Sequence, residues 1–300
     1  MGPMPAPYAA QLPTQPIILR AGAHRLSLHD RVRIMGIVNV TPDSFSDGGQ
    51  CFSPDAAVAR ALALAEAGAD IIDIGAESTR PGSEPVEEQE ELRRLIPVVR
   101  EVCRRISLPV SVDTQKASVA RLALEAGAAI INDVSALLGD PAMGLVVAES
   151  GAGLVLMHMQ GRPATMQQTP FYRDVTVEVR RFLDERARAA QACGIEPDRI
   201  LLDPGIGFGK NLDHNLTLLA RVPELQRLGY PILIGPSRKA FIGQVLDRPI
   251  QERAWGAAAA VAIAVLGGAR VIRTHDVREM RDVAAMADAL RRTKPQTVPA

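Results

Sequence analysis

Residues 34–49, IMGIVNVTPDSFSDGG, decide how the rest of the chain is read. The first part, Ile34-Met35-Gly36-Ile37-Val38, is an apolar run of the kind that forms a buried parallel strand. At Asn39 the character switches to an oxygen-rich loop carrying Thr41, Asp43, Ser44, Ser46 and Asp47, a lone Phe45, and the Gly48-Gly49 pair. An apolar strand that opens abruptly into polar loop is expected at an active-site mouth. One such switch also fits a polar surface loop, so its recurrence is the test.

The switch recurs. Further apolar runs lead to Gly75, Asp113, Asn132-Asp133, His158, Asp203, Gly235 and Arg273-Thr274-His275. Between them lie amphipathic stretches expected to be helical at 53–67, 87–105 (kinked at Pro97), 116–126, 141–150, 174–193, 211–228, in two pieces up to 266, and at 276–291. Ser53-Pro54 offers an N-cap and an N1 proline. Glu66-Ala67-Gly68-Ala69, Glu125-Ala126-Gly127-Ala128, Glu149-Ser150-Gly151-Ala152 and Gly267-Gly268-Ala269 each precede a strand, with a glycine suited to a left-handed helix cap. Eight strand–helix units at this spacing predict an α/β fold, a (β/α)8 TIM barrel, in preference to an open doubly wound sheet. The open sheet often carries a glycine fingerprint after strand one, where this chain has Asn39-Val40-Thr41-Pro42. A short hairpin is expected in 17–33. Residues 1–17, with Pro3, Pro5, Pro13 and Pro16, read as a flexible N-terminal extension to a single domain over 18–295.

Composition narrows the function. Lys plus Arg and Asp plus Glu both number 34, so the formal net charge is zero and the footprint of a nucleic-acid or anionic-membrane binder is missing. Aromatics at 3% argue further against stacking platforms for single strands. Cys51, Cys103 and Cys193 are scattered, without C-x-x-C, and read as free thiols of a reducing compartment. The most apolar segment, 257–266, is too short to span a bilayer. A cytoplasmic enzyme is expected.

In a barrel the C-terminal strand ends share one mouth. Here they are Asn39, Glu77, Asp113, Asn132 with Asp133, His158, Asp203, Lys239, and Arg273 with His275. Asp113, Asn132 and Asp203 are short groups able to hold a flat, nitrogen-rich ring by several fixed hydrogen bonds. Lys239, Arg273 and His275, with Arg80, form a cationic set suited to an anion such as a diphosphate. Asn39 offers an oxygen to a hard cation that bridges phosphates, and no His/Cys cluster has zinc spacing, so magnesium is the metal to expect. The Gly-rich run Gly205-Ile206-Gly207-Phe208-Gly209-Lys210 is not a P-loop, because Asn211 follows the lysine. Gly235-Pro236-Ser237-Arg238-Lys239 lacks the second glycine of a nucleophile elbow. Lys239 beside Arg238 reads as a charged, hydrogen-bonding lysine rather than a Schiff-base former. His214 reads as a surface or capping histidine, and Met157 and Met159 as packing, with Met157 also suited to an apolar wall for a ring.

Taken in order, GIVNVTPDSFSDGG (36–49), ESTRPG (77–82), SVDT (111–114), IND (131–133), LMHMQG (156–161), LDPGIGFGK (202–210), SRK (237–239) and RTHD (273–276) resemble the dihydropteroate synthases across about residues 34–291. The resemblance implies a homodimeric (β/α)8 transferase of folate biosynthesis. It would join 6-hydroxymethyl-7,8-dihydropterin diphosphate to 4-aminobenzoate, giving 7,8-dihydropteroate and diphosphate. Carried over residue by residue, the pterin would meet Asp113, Asn132, Met157, Asp203 and Lys239, and the diphosphate Arg80, Arg273 and His275. Mg2+ would sit at Asn39, and the aminobenzoate, or a sulfonamide in its place, between Thr79, Pro81, Phe208 and Ser237. Asp113, Asn132, Asp203 and Lys239 would carry the catalytic step. Loops 40–52 and 77–86 would close over the substrates, with Thr41, Asp43, Ser44 and Phe45 in the lid. Pro236 departs from relatives that have Met, Thr or Ala there. A pterin-dependent methyltransferase or a non-catalytic pterin-binding paralogue on the same barrel are the competing readings.

Overall fold

In the computed structural model, which describes residues 16–41, 54–78 and 82–293, the alternation closes into a barrel. Eight parallel strands form one sheet: β3 (Arg33–Asn39), β4 (Ile71–Gly75), β5 (Val110–Asp113), β6 (Ile130–Asp133), β7 (Gly153–Met157), β8 (Ile200–Asp203), β9 (Leu233–Ile234) and β10 (Val271–Thr274). They pair in the order β8-β7-β6-β5-β4-β3-β10-β9, and a parallel bridge between Leu202 and Ile232 joins β8 to β9 and closes the ring. An antiparallel hairpin, β1 (Ile18–Ala21) and β2 (His24–Ser27), precedes it, as expected.

The helices are α1 (Pro54–Glu66), α2 (Glu88–Arg105), α3 (Ala117–Glu125), α4 (Met143–Ser150), α5 (Val175–Ala192), α6 (Leu212–Ala220), α7 (Val222–Gln226), α8 (Ala240–Leu246), α9 (Ala254–Leu266) and α10 (Val277–Arg292). The echoing glycines 68, 127, 151 and 268 all have positive φ, between +65° and +110°, where a Cβ would strain the backbone. Two expectations change. The helix foreseen over 211–228 is divided at Arg221, because Pro223 opens a new helix, α7, at its first turn. Pro97 does not interrupt α2, which runs on to Arg105 with Leu95, Val98, Val99 and Val102 buried on one face. No helix among the described residues is long and apolar enough to cross a membrane.

Strand parity organises the interior. Successive side chains of a strand point to opposite faces. Met35, Ile71, Ile130, Val155, Leu201, Leu233 and Val271 pack together inside the barrel with Leu19, Ala21 and Leu28 from the hairpin segment, which plugs the floor. Neighbours of the other parity, among them Ile34, Ile72, Val112, Ile131, Leu154, Leu202 and Ile272, face the helices. Two residues beyond the floor layer, on the same inward parity, stand Asp73, Asn132, Met157, Asp203 and Arg273, joined by Asp113, two beyond the buried Ser111; Asn39, four beyond Met35, stands one step higher. Thus the site is the next layer of the barrel above an apolar floor.

Candidate active site

The mouth holds a pocket of about 990 Å³ lined by, among others, Asn39, Thr41, Glu77, Asp113, Phe208, Ser237, Lys239, Arg273 and His275. Asp113 and Arg273 of the inward layer reach this lining, whereas Asn132, Met157 and Asp203, of the same parity, do not. His158 and Asp133, expected at the mouth, have the outward parity and line no part of the pocket. Asp133 instead accepts from Ser135 N (2.8 Å), Ser135 Oγ (2.6 Å) and Leu137 N (2.7 Å), and so shapes its own loop. Thr79, Arg80 and Pro81, and the lid residues Asp43, Ser44 and Phe45, lie outside the described residues.

At the floor of the site sits a network centred on Arg273. Its Nε donates to Asp73 Oδ2 at 2.6 Å and its Nη2 to Asp113 Oδ2 at 2.9 Å. Asn132 Nδ2 donates to the same Asp73 oxygen at 3.3 Å. Asp73 is fully buried and was not singled out from the sequence. The signal was available: a carboxylate on the inward parity of an otherwise apolar strand is costly unless something pairs with it. Burial, with help from Asp73, outweighs Arg273 and raises the Asp113 carboxyl to about 7. Burial also raises Asp203 above the usual carboxylate range, against the pull of the Gly205 N–H and Lys239. Burial works against the charge of Arg273, but Asp73 and Asp113 prevail and hold it above its ordinary value.

A second network runs along the rim. Ser237 Oγ lies 3.0 Å from His275 Nδ1 and accepts from the His275 backbone N at 3.3 Å, and Asn39 Nδ2 faces His275 Nε2 at 3.4 Å. The Lys239 ammonium stands 3.8 Å over the Phe208 ring. Met157 packs with Val134, Met166 and Phe208 in a small apolar cluster. At the root of loop 77–86, Lys116 Nζ donates to Glu77 Oε2 and Glu91 Oε2, each at 2.5 Å, a partly buried ion group the sequence did not announce. His214 closes a capping box with Asn211 on α6, which bears out its capping reading.

No group of three His, Cys, Asp or Glu side chains among the described residues is arranged to hold a metal ion. The site does fit a cation that takes most ligands from a substrate and water: Asn39, at the pocket wall with its amide nitrogen turned to His275, has one neutral oxygen to give.

The sequence profile of the family described as pterin binding enzyme matches residues 35–275. The dihydropteroate synthase of Synechocystis is 47% identical over 261 residues, 87% of this chain and 90% of the relative. Among solved structures, the Yersinia pestis dihydropteroate synthase in a sulfonamide drug complex superposes with a TM-score of 0.87 at 45% identity, covering 92% of this chain and all of that one. The Xanthomonas albilineans dihydropteroate synthase does so at 0.86 and 47% identity with 4-aminobenzoic acid, covering 95% of this chain and 100% of its own. In complex with 7,8-dihydropteroate that enzyme gives 0.82 and 46%, over 94% of this chain and 100% of its own. The chain therefore belongs to the pterin-binding enzymes and, within them, to the dihydropteroate synthases.

Proposed function

We propose that the chain condenses 6-hydroxymethyl-7,8-dihydropterin diphosphate with 4-aminobenzoate, forming 7,8-dihydropteroate and diphosphate. The observation that carries the reading is the inward layer itself: Asp113, Asn132, Asp203 and Lys239 stand together with Arg273 above an apolar floor. Asp113, Asn132, Asp203 and Lys239 hold the pterin through its ring nitrogens and exocyclic groups, with Met157 against the ring. Arg273 and His275, with Arg80, take the diphosphate. Phe208 and Ser237, with Thr79 and Pro81, take the aminobenzoate.

Chemistry follows from this arrangement without a nucleophilic side chain. The bond from the pterin methylene carbon to the diphosphate oxygen breaks, and the electron pair leaves with the diphosphate. Arg273 and His275 stabilise the departing charge. The methylene cation is delocalised into the dihydropterin and faces the carboxylates of Asp113 and Asp203. The arylamine nitrogen then forms the new C–N bond and gives up one proton. Holding both reactants in line is alone capable of about 7–11 kcal/mol of barrier lowering. Mg2+, when bound near Asn39, supplies charge neutralisation to the diphosphate oxygens. Thr41 lines the pocket at the start of loop 40–52.

We assign the active form to a homodimer, supported by Trp255 on α9 and Met286 and Leu290 on α10, large apolar side chains that are 85%, 62% and 56% exposed on two helices packed side by side. The scattered cysteines, without C-x-x-C, support a reducing, cytoplasmic location. The test is diphosphate release that requires the dihydropterin diphosphate, 4-aminobenzoate and Mg2+ together. Absence of release with all three present overturns the reading in favour of a pterin-binding module. Trapping of a substrate adduct on Lys239 by borohydride overturns the dissociative route.

A further inference from the structure

The glycine-rich run 205–210 resembles a phosphate loop and is not one, which leaves Lys210 without a role in the reaction. Lys210 is buried to 2% exposure, and burial, only partly offset by the charge of Asp203, lowers it to about 7. Its Nζ reaches three neutral acceptors: His158 Nδ1 at 2.9 Å, the Phe208 carbonyl at 2.9 Å and the His158 carbonyl at 3.4 Å. An ammonium has three N–H donors, so this set satisfies it completely, provided that His158 is neutral and carries its proton on Nε2. Burial, with the lysine alongside, pushes His158 down to about 2, which keeps it neutral.

The contacts join the end of β7 to the loop that carries Phe208. His158 follows β7 and points outward, where Phe182 meets its ring edge-on at 4.8 Å. Phe208 lies in the loop after β8. That loop is wound tightly on the end of β7: a Cβ on Gly205 would fall 1.9 Å from the His158 carbonyl, and one on Gly209 would fall 2.2 Å from the Gln160 carbonyl. Tyr172 Oη adds a hydrogen bond to the Gly209 carbonyl at 2.9 Å. Phe208 in turn carries the Lys239 ammonium over its ring. Burying an amine among neutral groups is expensive, and this one is placed where a single atom ties the Phe208 carbonyl to the ring and carbonyl of His158.

We propose that Lys210 is a positioning residue for the reaction: its side-chain nitrogen, clasped by His158 and the Phe208 carbonyl, sets the Phe208 ring that walls the arylamine and backs Lys239. The proposal rests on the assignment of Phe208 to the aminobenzoate, so one readout is independent of activity. Lysines labelled with 13C at Cε report the ring current of Phe208 on Lys239, and Lys210→Met should move that resonance towards the solvent-exposed position. In kinetics, Lys210→Met should raise KM for aminobenzoate by roughly tenfold or more, the change expected for loss of a charge-assisted hydrogen bond, while the Kd for the pterin substrate is nearly unchanged. His158→Leu should reproduce the effect and serves in its place should Lys210→Met not fold. His158→Asn, whose Oδ1 takes the place of Nδ1, should restore it. Lys210→Met with His158→Leu should be no worse than the worse single change. An unmoved Lys239 resonance overturns the proposal whatever the kinetics, as does a parallel loss of pterin and aminobenzoate affinity that tracks melting temperature. A moved resonance with unchanged aminobenzoate KM keeps the hold of Lys210 on the loop and overturns the assignment of Phe208.

Discussion

Asp73→Ala tests whether the Arg273 network is the frame of the site. The substitution removes the acceptor of a 2.6 Å contact from Arg273 Nε, a second 2.6 Å contact from Nη2, and the 3.3 Å bond from Asn132. The two bonds from Arg273 contribute about 1.5–3 kcal/mol each and the long one from Asn132 about 1, so the gross loss is about 4–7 kcal/mol. Two terms offset it. Asp73 Oδ1 is buried without a partner, and relieving that costly atom returns about 1–3 kcal/mol. Asp113 also stays on Arg273, so the guanidinium is not orphaned. The net cost is about 3 kcal/mol, the low end of the range for splitting a buried ion pair. At about 2–4 °C per kcal/mol the melting temperature should fall by about 6–12 °C. Arg273, no longer tethered, should lean onto Asp113 and weaken the pterin Kd about tenfold. Asp73→Asn keeps the shape and one acceptor and should cost only about 1 kcal/mol. Thermal melts and calorimetric titration with the dihydropterin check both. An unchanged melting temperature and Kd in Asp73→Ala, or an Asn variant worse than the Ala variant, would refute the reasoning.

Three further outcomes follow from named contacts. With Asp113 raised to about 7, the free protein holds a proton there at lower pH, and a ring that donates N–H groups needs the ionised carboxylate; pterin affinity should fall as pH drops below 7, and Asp113→Asn should flatten the profile. A wild-type Kd independent of pH across that range would remove the link. Gly205→Ala should lower the unfolding free energy by at least about 2 kcal/mol, since φ is +67° and the new Cβ would strike the His158 carbonyl; an unchanged urea midpoint contradicts it. Leu19→Ala, opening a cavity in the floor plug, should cost about 2–5 kcal/mol in stability with substrate KM values unaltered, and a kinetic defect without a stability loss would show that the hairpin acts on the site directly.

Residues 34–49 show how far local pattern reaches. The change from apolar strand to polar loop at Asn39, repeated along the chain with a glycine before several of the strands, specified eight strand–helix units, because side-chain period and helix caps are properties of neighbours in sequence. The same pattern brought out Asn39, Asp113, Asn132, Asp203, Lys239, Arg273 and His275, each near a strand end. What it could not weigh was which strand ends face inward. Counting His158 and Asp133 with the mouth ignored their parity, and overlooking Asp73 ignored the cost of an inward carboxylate one step below the rim. The remaining features join residues far apart in the chain: Arg273 with Asp73, Lys116 with Glu77 and Glu91, Lys210 with His158, and Leu19 with the floor layer. Such contacts depend on closure of the barrel, where β10 meets β3 and β8 meets β9, and only the tertiary structure decides them. The sequence by itself determined the barrel and the chemistry of its mouth. Tertiary structure decided which charges meet, because burial and pairing are set by strands that are neighbours in space and not in the chain.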